Sequence, residues 1–261
     1  MDLRIAGRTA VVTGGSMGIG RAVAAELLRE GVRVVIAARN AARLEEAARA
    51  LAQATGGEVS AVAADISKPE DIDRLVATAT ARLGRIDILV NNAGSASAGT
   101  IAQLTDEQWK SAFDLKLMGY MRCARAVLPA MRAQRWGRIV NIAGRGGEIA
   151  TPTYLLGSFN AAVLYFSRAL ALDAATDNVL VNAVNPGATA TPRLTAIIEH
   201  KAKVSGRDPK DIEAEWHASV KVGRAAAPED VADLVTFLCS ERARHIAGSS
   251  FNIDGGGAAG V

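Results

Sequence analysis

Gly14, Gly15, Gly18 and Gly20 crowd into seven consecutive positions. A β-branched and apolar run, residues 9–13, leads into them. Behind them the apolar period becomes helical from Ile19 through Val23, Ala24, Leu27 and Leu28, and Gly31 ends the run. A strand, a glycine turn and a helix N-terminus together form an anion site, because free backbone N–H groups and the positive end of the helix dipole point at the same place. In a repeating βαβ chain the usual occupant is the pyrophosphate of a dinucleotide. A ligand-free glycine hairpin is the alternative, but a hairpin does not run on into a helix.

Two cations stand where they can do chemistry. Residues 32–38 read as a second strand, and the residues closing such a strand meet the adenosine ribose, where an acid binds a free 2′-hydroxyl and a base accommodates a 2′-phosphate. The chain has Ala38 and then Arg39 there, which points to NADP(H) rather than NAD(H); an ordinary solvated arginine is the alternative. The other cation is Lys116. Residues 104–131 read as one long helix opened by a Thr105/Gln108 capping box, with an apolar stripe of Trp109, Ala112, Phe113, Leu117, Tyr120, Met121 and Ala124. Lys116 falls inside that stripe. Burying an unpaired ammonium is costly, so the lysine either snorkels to the surface or is held for a purpose.

The elements that must position these residues follow from the same patterns. Strands are expected over 9–13, 32–38, 59–64, 86–90, 138–142, 180–184 and 250–253, and helices over 40–53, 72–83, 104–131, 155–175 and 228–239. This alternation predicts an α/β, Rossmann-like doubly wound parallel sheet of about seven strands with helices on both faces. A chain of 261 residues with no linker composition reads as a single domain, 1–261. Its 49% hydrophobic and 4% aromatic content predicts a core of Ala, Val, Leu and Ile. No apolar run approaches the ~18–20 residues that span a bilayer, and the start lacks a signal-peptide layout. Cys123 and Cys239 lack metal-ligand spacing, so no metal and a reduced, cytoplasmic setting are expected. The net charge of +3 is dispersed along the chain, which argues against a nucleic-acid partner.

The glycine spacing is Gly-x-x-x-Gly-x-Gly. With Asn91-Asn92-Ala93-Gly94, Asn185-Pro186-Gly187 and Ile253-Asp254-Gly255-Gly256 in that order, the whole chain resembles the short-chain dehydrogenase/reductase family. The resemblance implies that Gly14, Ser16, Met17, Gly18, Ile19 and Gly20 cradle the pyrophosphate, with Arg39 at the ribose. It implies that Asp65, beside Ile66, meets the adenine, and that Asn92, Ala93 and Gly94 pack against the cofactor. Pro186, Gly187, Ala188 and Thr191 would hold the nicotinamide end. Residues 192–223 would form a lid over a small-molecule substrate, and the helices over 104–131 and 155–175 would pair, with Ala161, Ala162 and Ala169 allowing close approach, into a homotetramer. Met17 stands where many NADP-using relatives carry a second basic residue.

Hydride transfer to a carbonyl needs a proton donor at the developing alkoxide. The family uses a Ser, a Tyr, a Lys four residues after it, and an Asn on the preceding long helix. In this chain those positions hold Gly144, Leu156, Asn160 and Lys116. Lysine and asparagine thus look exchanged. Tyr154 lies two residues ahead of the tyrosine position, a displacement of about 200° on a helix, so it can serve only from the loop before one. The expected relay is Lys116 as cation, Asn160 orienting a water or the lysine, and Tyr154 as acid. Arg145, Glu148 or Ser158 would replace the missing serine hydroxyl. The expected activity is NADP(H)-dependent reduction of a small carbonyl or oxidation of the matching alcohol. An NADP(H)-binding protein without turnover, or a lyase or isomerase on the same fold, are the alternatives.

Overall fold

The computed structural model describes residues 1–94 and 98–257. The apolar runs become seven strands: β1 (Thr9–Thr13), β2 (Arg33–Ala38), β3 (Val59–Ala63), β4 (Ile88–Asn91), β5 (Gly137–Ile142), β6 (Val179–Pro186) and β7 (Ser250–Ile253). They form one parallel sheet in the order β3-β2-β1-β4-β5-β6-β7. The order reverses between β1 and β4, and ligands of open α/β sheets bind in the crevice that such a reversal opens at the strands' carboxyl ends.

Helices cover both faces, because strands this uniformly apolar must be buried on both sides. On one face α1 (Gly18–Arg29), α2 (Ala41–Thr55) and α9 (Pro228–Leu238) bring Val23, Leu27, Leu44, Leu51, Val231 and Val235 onto Val12, Ile36 and Val90. On the other, α3 (Pro69–Leu83), α5 (Gly119–Ala133) and α6 (Ser158–Ala174) bring Ile72, Leu75, Tyr120, Val127 and Val163 onto Val11, Val35 and Ile139. The expected fold class is the observed one.

The helix expected over 104–131 differs in a way that matters for the site. It is built from α4 (Asp106–Ala112), a π-helical turn (Phe113–Met118) and α5. A π turn inserts extra residues into the helical register, and such insertions are frequent at functional sites. It breaks the expected apolar stripe. Phe113 and Met121 come out 39% and 37% exposed, whereas Ala112, Tyr120, Cys123 and Ala124 face the core. The capping box at Thr105 is present as expected.

The helix expected over 155–175 opens with a 3₁₀ turn (Leu155–Gly157) ahead of α6, and α3 starts early, at Pro69. The continuous helical stretch Leu155–Asp177 corrects one expectation, since its 23 residues and mean hydropathy of 1.4 suffice, by length and composition alone, to cross a membrane. In this fold Val163, Ser167, Ala171 and Ala174 of that stretch are buried, with Val163, Ala171 and Ala174 in the core beneath α5. Residues 192–223 form α7 (Pro192–Ser205) and α8 (Pro209–Ser219), joined by a small cluster of Leu194, Ile198, Ala202, Ile212 and Trp216.

Candidate functional site

The glycine turn and the end of β4 lock together. Gly14 has φ +68°, and a Cβ there would stand 2.7 Å from Asn92 Nδ2 and 2.9 Å from Ala93 Cα. The Thr13 hydroxyl accepts hydrogen bonds from the Asn92 and Ala93 N–H groups at 3.0 and 3.2 Å and donates to the Val90 carbonyl at 3.3 Å. Asn92 Nδ2 donates back to the carbonyls of Thr13 and Gly14 at 3.1 and 3.3 Å. Asn92 is therefore a clamp on the glycine turn rather than a simple turn former.

Met17 caps α1 from an extended backbone, with no side-chain hydrogen bond and no acid in the first turn. That leaves the helix N-terminus to an anion. Gly18, at φ +55°, packs against Thr191, whose Cγ2 would be 3.2 Å from a Cβ at 18. Ser16 and Ile19 are half-buried beside it.

The remaining cofactor candidates line the same edge. Arg39 is exposed directly after β2, and no carboxylate precedes it at 38. Asp65 Oδ1 accepts from the N–H and hydroxyl of Ser67 at 3.0 and 2.7 Å, so one carboxylate oxygen closes the turn into α3, above the buried Ile66. Pro186 ends β6. The Gly187 N–H donates to the Ile253 carbonyl at 3.1 Å, and the Ala188 carbonyl accepts from the Ala226 N–H at 2.9 Å. The Thr191 hydroxyl donates to the Thr189 carbonyl at 3.2 Å and accepts the Leu194 N–H at 3.4 Å, which caps α7.

Lys116 sits in the π turn. Its Nζ donates to the carbonyls of Ile142 and Ala143 at 2.6 and 3.0 Å, at the end of β5. The stem passes Gly94, where a Cβ would lie 3.4 Å from Lys116 Cδ and 3.5 Å from Nζ. Arg193 Nη1 donates to the Gly94 carbonyl from the other side at 3.3 Å. Burial, and secondarily the like charge of Arg193, push the Lys116 ammonium down to about 7. Among the described residues its hydrogen bonds go to two backbone carbonyls, and its charge rests on them.

Asn160 is buried, and its amide faces Gly144, where a Cβ would stand 3.2 Å from Nδ2. Gly144 itself has φ +145°, a conformation that side chains of L-residues rarely adopt. Lys116 thus meets Ile142 and Ala143 from the π turn, and Asn160 meets the next residue, Gly144, from α6. Tyr154 lies in the loop ahead of the 3₁₀ turn, outside the helix, with its ring against Gly146 and Gly157. Leu156, which the sequence resemblance would set at the tyrosine position, is buried.

Two of the three candidates for the missing hydroxyl are already engaged. Arg145 pairs with Asp254 at 3.6 Å and donates to the Gly257 carbonyl. Glu148 accepts from Asn185 Nδ2 at 3.0 Å and Asn252 Nδ2 at 2.7 Å. Asn185 in turn accepts the Gly144 N–H at 3.3 Å. Ser158 is exposed at the start of α6. Sequence reasoning passed over Thr13, Asn185 and Tyr120, although Tyr120 lies four residues after Lys116, the spacing at which helical neighbours meet.

A dinucleotide cradle beside a half-buried cation is an arrangement for moving a hydride and a proton. A family model described as enoyl-(acyl carrier protein) reductase matches residues 14–257. L-sorbose reductase from Gluconobacter frateurii, solved with NADPH and L-sorbose, is 37% identical with a TM-score of 0.95, covering 100% of both chains. A 3-oxoacyl-(acyl-carrier-protein) reductase of Synechocystis is 33% identical, covering 95% of this chain and 96% of its own. An NAD⁺-bound xylitol dehydrogenase superposes with a TM-score of 0.92 at 27% identity, over 97% of this chain and 100% of its own.

Proposed function

The chain belongs to the short-chain dehydrogenase/reductase family and is an oxidoreductase, and from that premise we propose that it uses NADP(H) to interconvert a small carbonyl compound and its alcohol through a rearranged site. The observation that carries this reading is the seat of Lys116 on the Ile142 and Ala143 carbonyls, beside Gly94 and the end of the sheet where the cofactor cradle lies. The cradle fits the cofactor's phosphates. Among the described residues the α1 N-terminus has no capping side chain, and side chains at Gly14 or Gly20 would fill the turn. Exposed Arg39 after Ala38 supports the 2′-phosphate, as does the NADPH bound by L-sorbose reductase. Met17 and the NAD⁺ of xylitol dehydrogenase weigh the other way.

When bound, the reduced nicotinamide supplies the hydride. An ammonium has three N–H groups, and Lys116 spends two on carbonyls, leaving one for the reaction. In the proposed relay that N–H polarises Tyr154, which gives its phenolic proton to the developing alkoxide, and Asn160 orients a bridging water next to Gly144. Tyr154 meets the condition set by its displaced position, since it precedes the helix. Residues 192–223 act as the lid that excludes water.

The chain works as one domain, in the cytoplasm and without a metal, as a homotetramer paired through α5 and α6. Ala161 and Ala169, together with Tyr165 at 79% and Leu172 at 81% exposure, offer that surface. The test is NADPH oxidation across a panel of small ketones, keto-sugars and oxoesters. Stoichiometric NADPH binding with no oxidation of any member overturns the reading.

A further inference from the structure

Lys116 is held by more than its two carbonyls. The Tyr120 hydroxyl donates to the Ile142 carbonyl at 3.1 Å, the same oxygen that Lys116 Nζ reaches at 2.6 Å. The Tyr120 ring lies with its centroid 5.1 Å from Nζ, within the range of a cation–π contact. Tyr120 is 0% exposed, and burial raises its own phenol well above the usual range, so it stays a neutral donor. Lys116 lies within the π turn, which ends at Met118, and Tyr120 follows it in α5, so the two side chains reach one carbonyl from consecutive segments.

We propose that Tyr120 is a positioning residue that fixes the Lys116 ammonium over the Ile142 carbonyl and sets its proton affinity. The inference rests on the reading of Lys116 as the cation of the relay. Its two halves act in opposite directions. The ring face attracts the cation and favours the protonated amine. The hydroxyl competes for the Ile142 carbonyl, since an oxygen that already accepts one strong donor holds a second less tightly. Among the described residues the other groups facing Lys116 are Arg193 from α7, whose charge disfavours protonation, and the carbonyls of Ile142 and Ala143 from β5. Cys123, beside Tyr120 on α5, is held neutral by burial.

The two halves separate by mutation. Tyr120→Phe keeps the ring and frees the carbonyl, so the Lys116 midpoint should rise by about half a pH unit. Tyr120→Leu removes the ring as well, and the loss of a cation–π contact should set its midpoint about half to one unit below that of the Phe variant. The direct readout is the titration of lysine Cε carbons by NMR on the full chain, with the Lys116 signal assigned by its absence in Lys116→Arg. The pH profile of turnover is recorded on the same variants.

A midpoint that rises in the Phe variant and falls from Phe to Leu supports the proposal, and a purely structural Tyr120 would leave the midpoint in place. Unchanged midpoints in both variants, a fall in the Phe variant, or a Leu midpoint level with or above the Phe one overturn it. Should the Leu variant fail to fold, the Phe variant decides alone, since only an upward shift agrees with the proposal. Midpoints that move as expected while turnover keeps its pH profile uphold the positioning role and instead remove Lys116 from the proton relay.

Discussion

Gly144 and Asn160 face each other so closely that a Cβ at 144 would stand 3.2 Å from the Asn160 amide nitrogen, on a backbone at φ +145°. A side chain at 144 would therefore need both a change of backbone and room beside Asn160. Gly144→Ser should cost about 1–3 kcal/mol of stability, the range for a non-glycine residue forced into such a conformation, and should not raise turnover. Denaturant unfolding checks this, and an unchanged midpoint would show that the backbone readily rearranges.

The relay makes a kinetic prediction. One general acid contributes roughly 10²–10⁴ in rate, so Lys116→Ala and Tyr154→Phe should each lower kcat by about that much and leave NADPH affinity nearly intact. If the two act as a unit, the double variant loses little more than either single one. Wild-type turnover in Tyr154→Phe would assign the proton to Lys116 or to a water it holds.

Cofactor choice is testable at the end of β2. NADPH should bind more tightly than NADH, and Ala38→Asp should reverse the order, because a carboxylate repels a 2′-phosphate and accepts a hydrogen bond from a free 2′-hydroxyl. Equal dissociation constants in the parent protein would contradict the role given to Arg39.

Lys116 also links stability to pH. Its ammonium is pushed from the ordinary 10.5 down to about 7 by burial. Between those values the unfolded chain holds one more proton than the folded one, so this site's contribution to stability rises with pH across the window and is lost as pH falls to about 7. At ~1.4 kcal/mol per unit, the stability gained on replacing Lys116 by Met should be larger at pH 7 than at pH 9 by on the order of 2 kcal/mol. A pH-independent difference would mean that the ammonium is not desolvated.

The outer face of α6 predicts assembly. Tyr165 and Leu172, 79% and 81% exposed, should be buried between copies. Light scattering should report a tetramer, and Leu172→Glu should dissociate it. A monomer at micromolar concentration in the parent chain would remove the proposed pairing.

Much of this architecture is legible in the chain itself. The strands are short apolar runs with few polar interruptions, and the glycine turn announces itself because Gly14 needs a positive φ and Gly20 tolerates no side chain. Lys116 is legible as an anomaly, a charge within an apolar stripe. The π turn around it is not, since no residue pattern marks a local change of helical register, and it moved Phe113 and Met121 from the expected core to the surface. The partners of Arg145 and Glu148 were equally out of reach. Asp254, Asn185 and Asn252 are distant in sequence and meet them only because β6 and β7 lie side by side.

The Thr13 hydroxyl, shared among the Val90 carbonyl and the N–H groups of Asn92 and Ala93, has a consequence for how a nucleotide is received. It fastens the tips of two neighbouring strands into one rigid jaw before any ligand arrives. Ordering that jaw is an expense of folding, met once in the life of the molecule. Each later encounter draws on a shape already made, so the cradle adds little ordering cost to association.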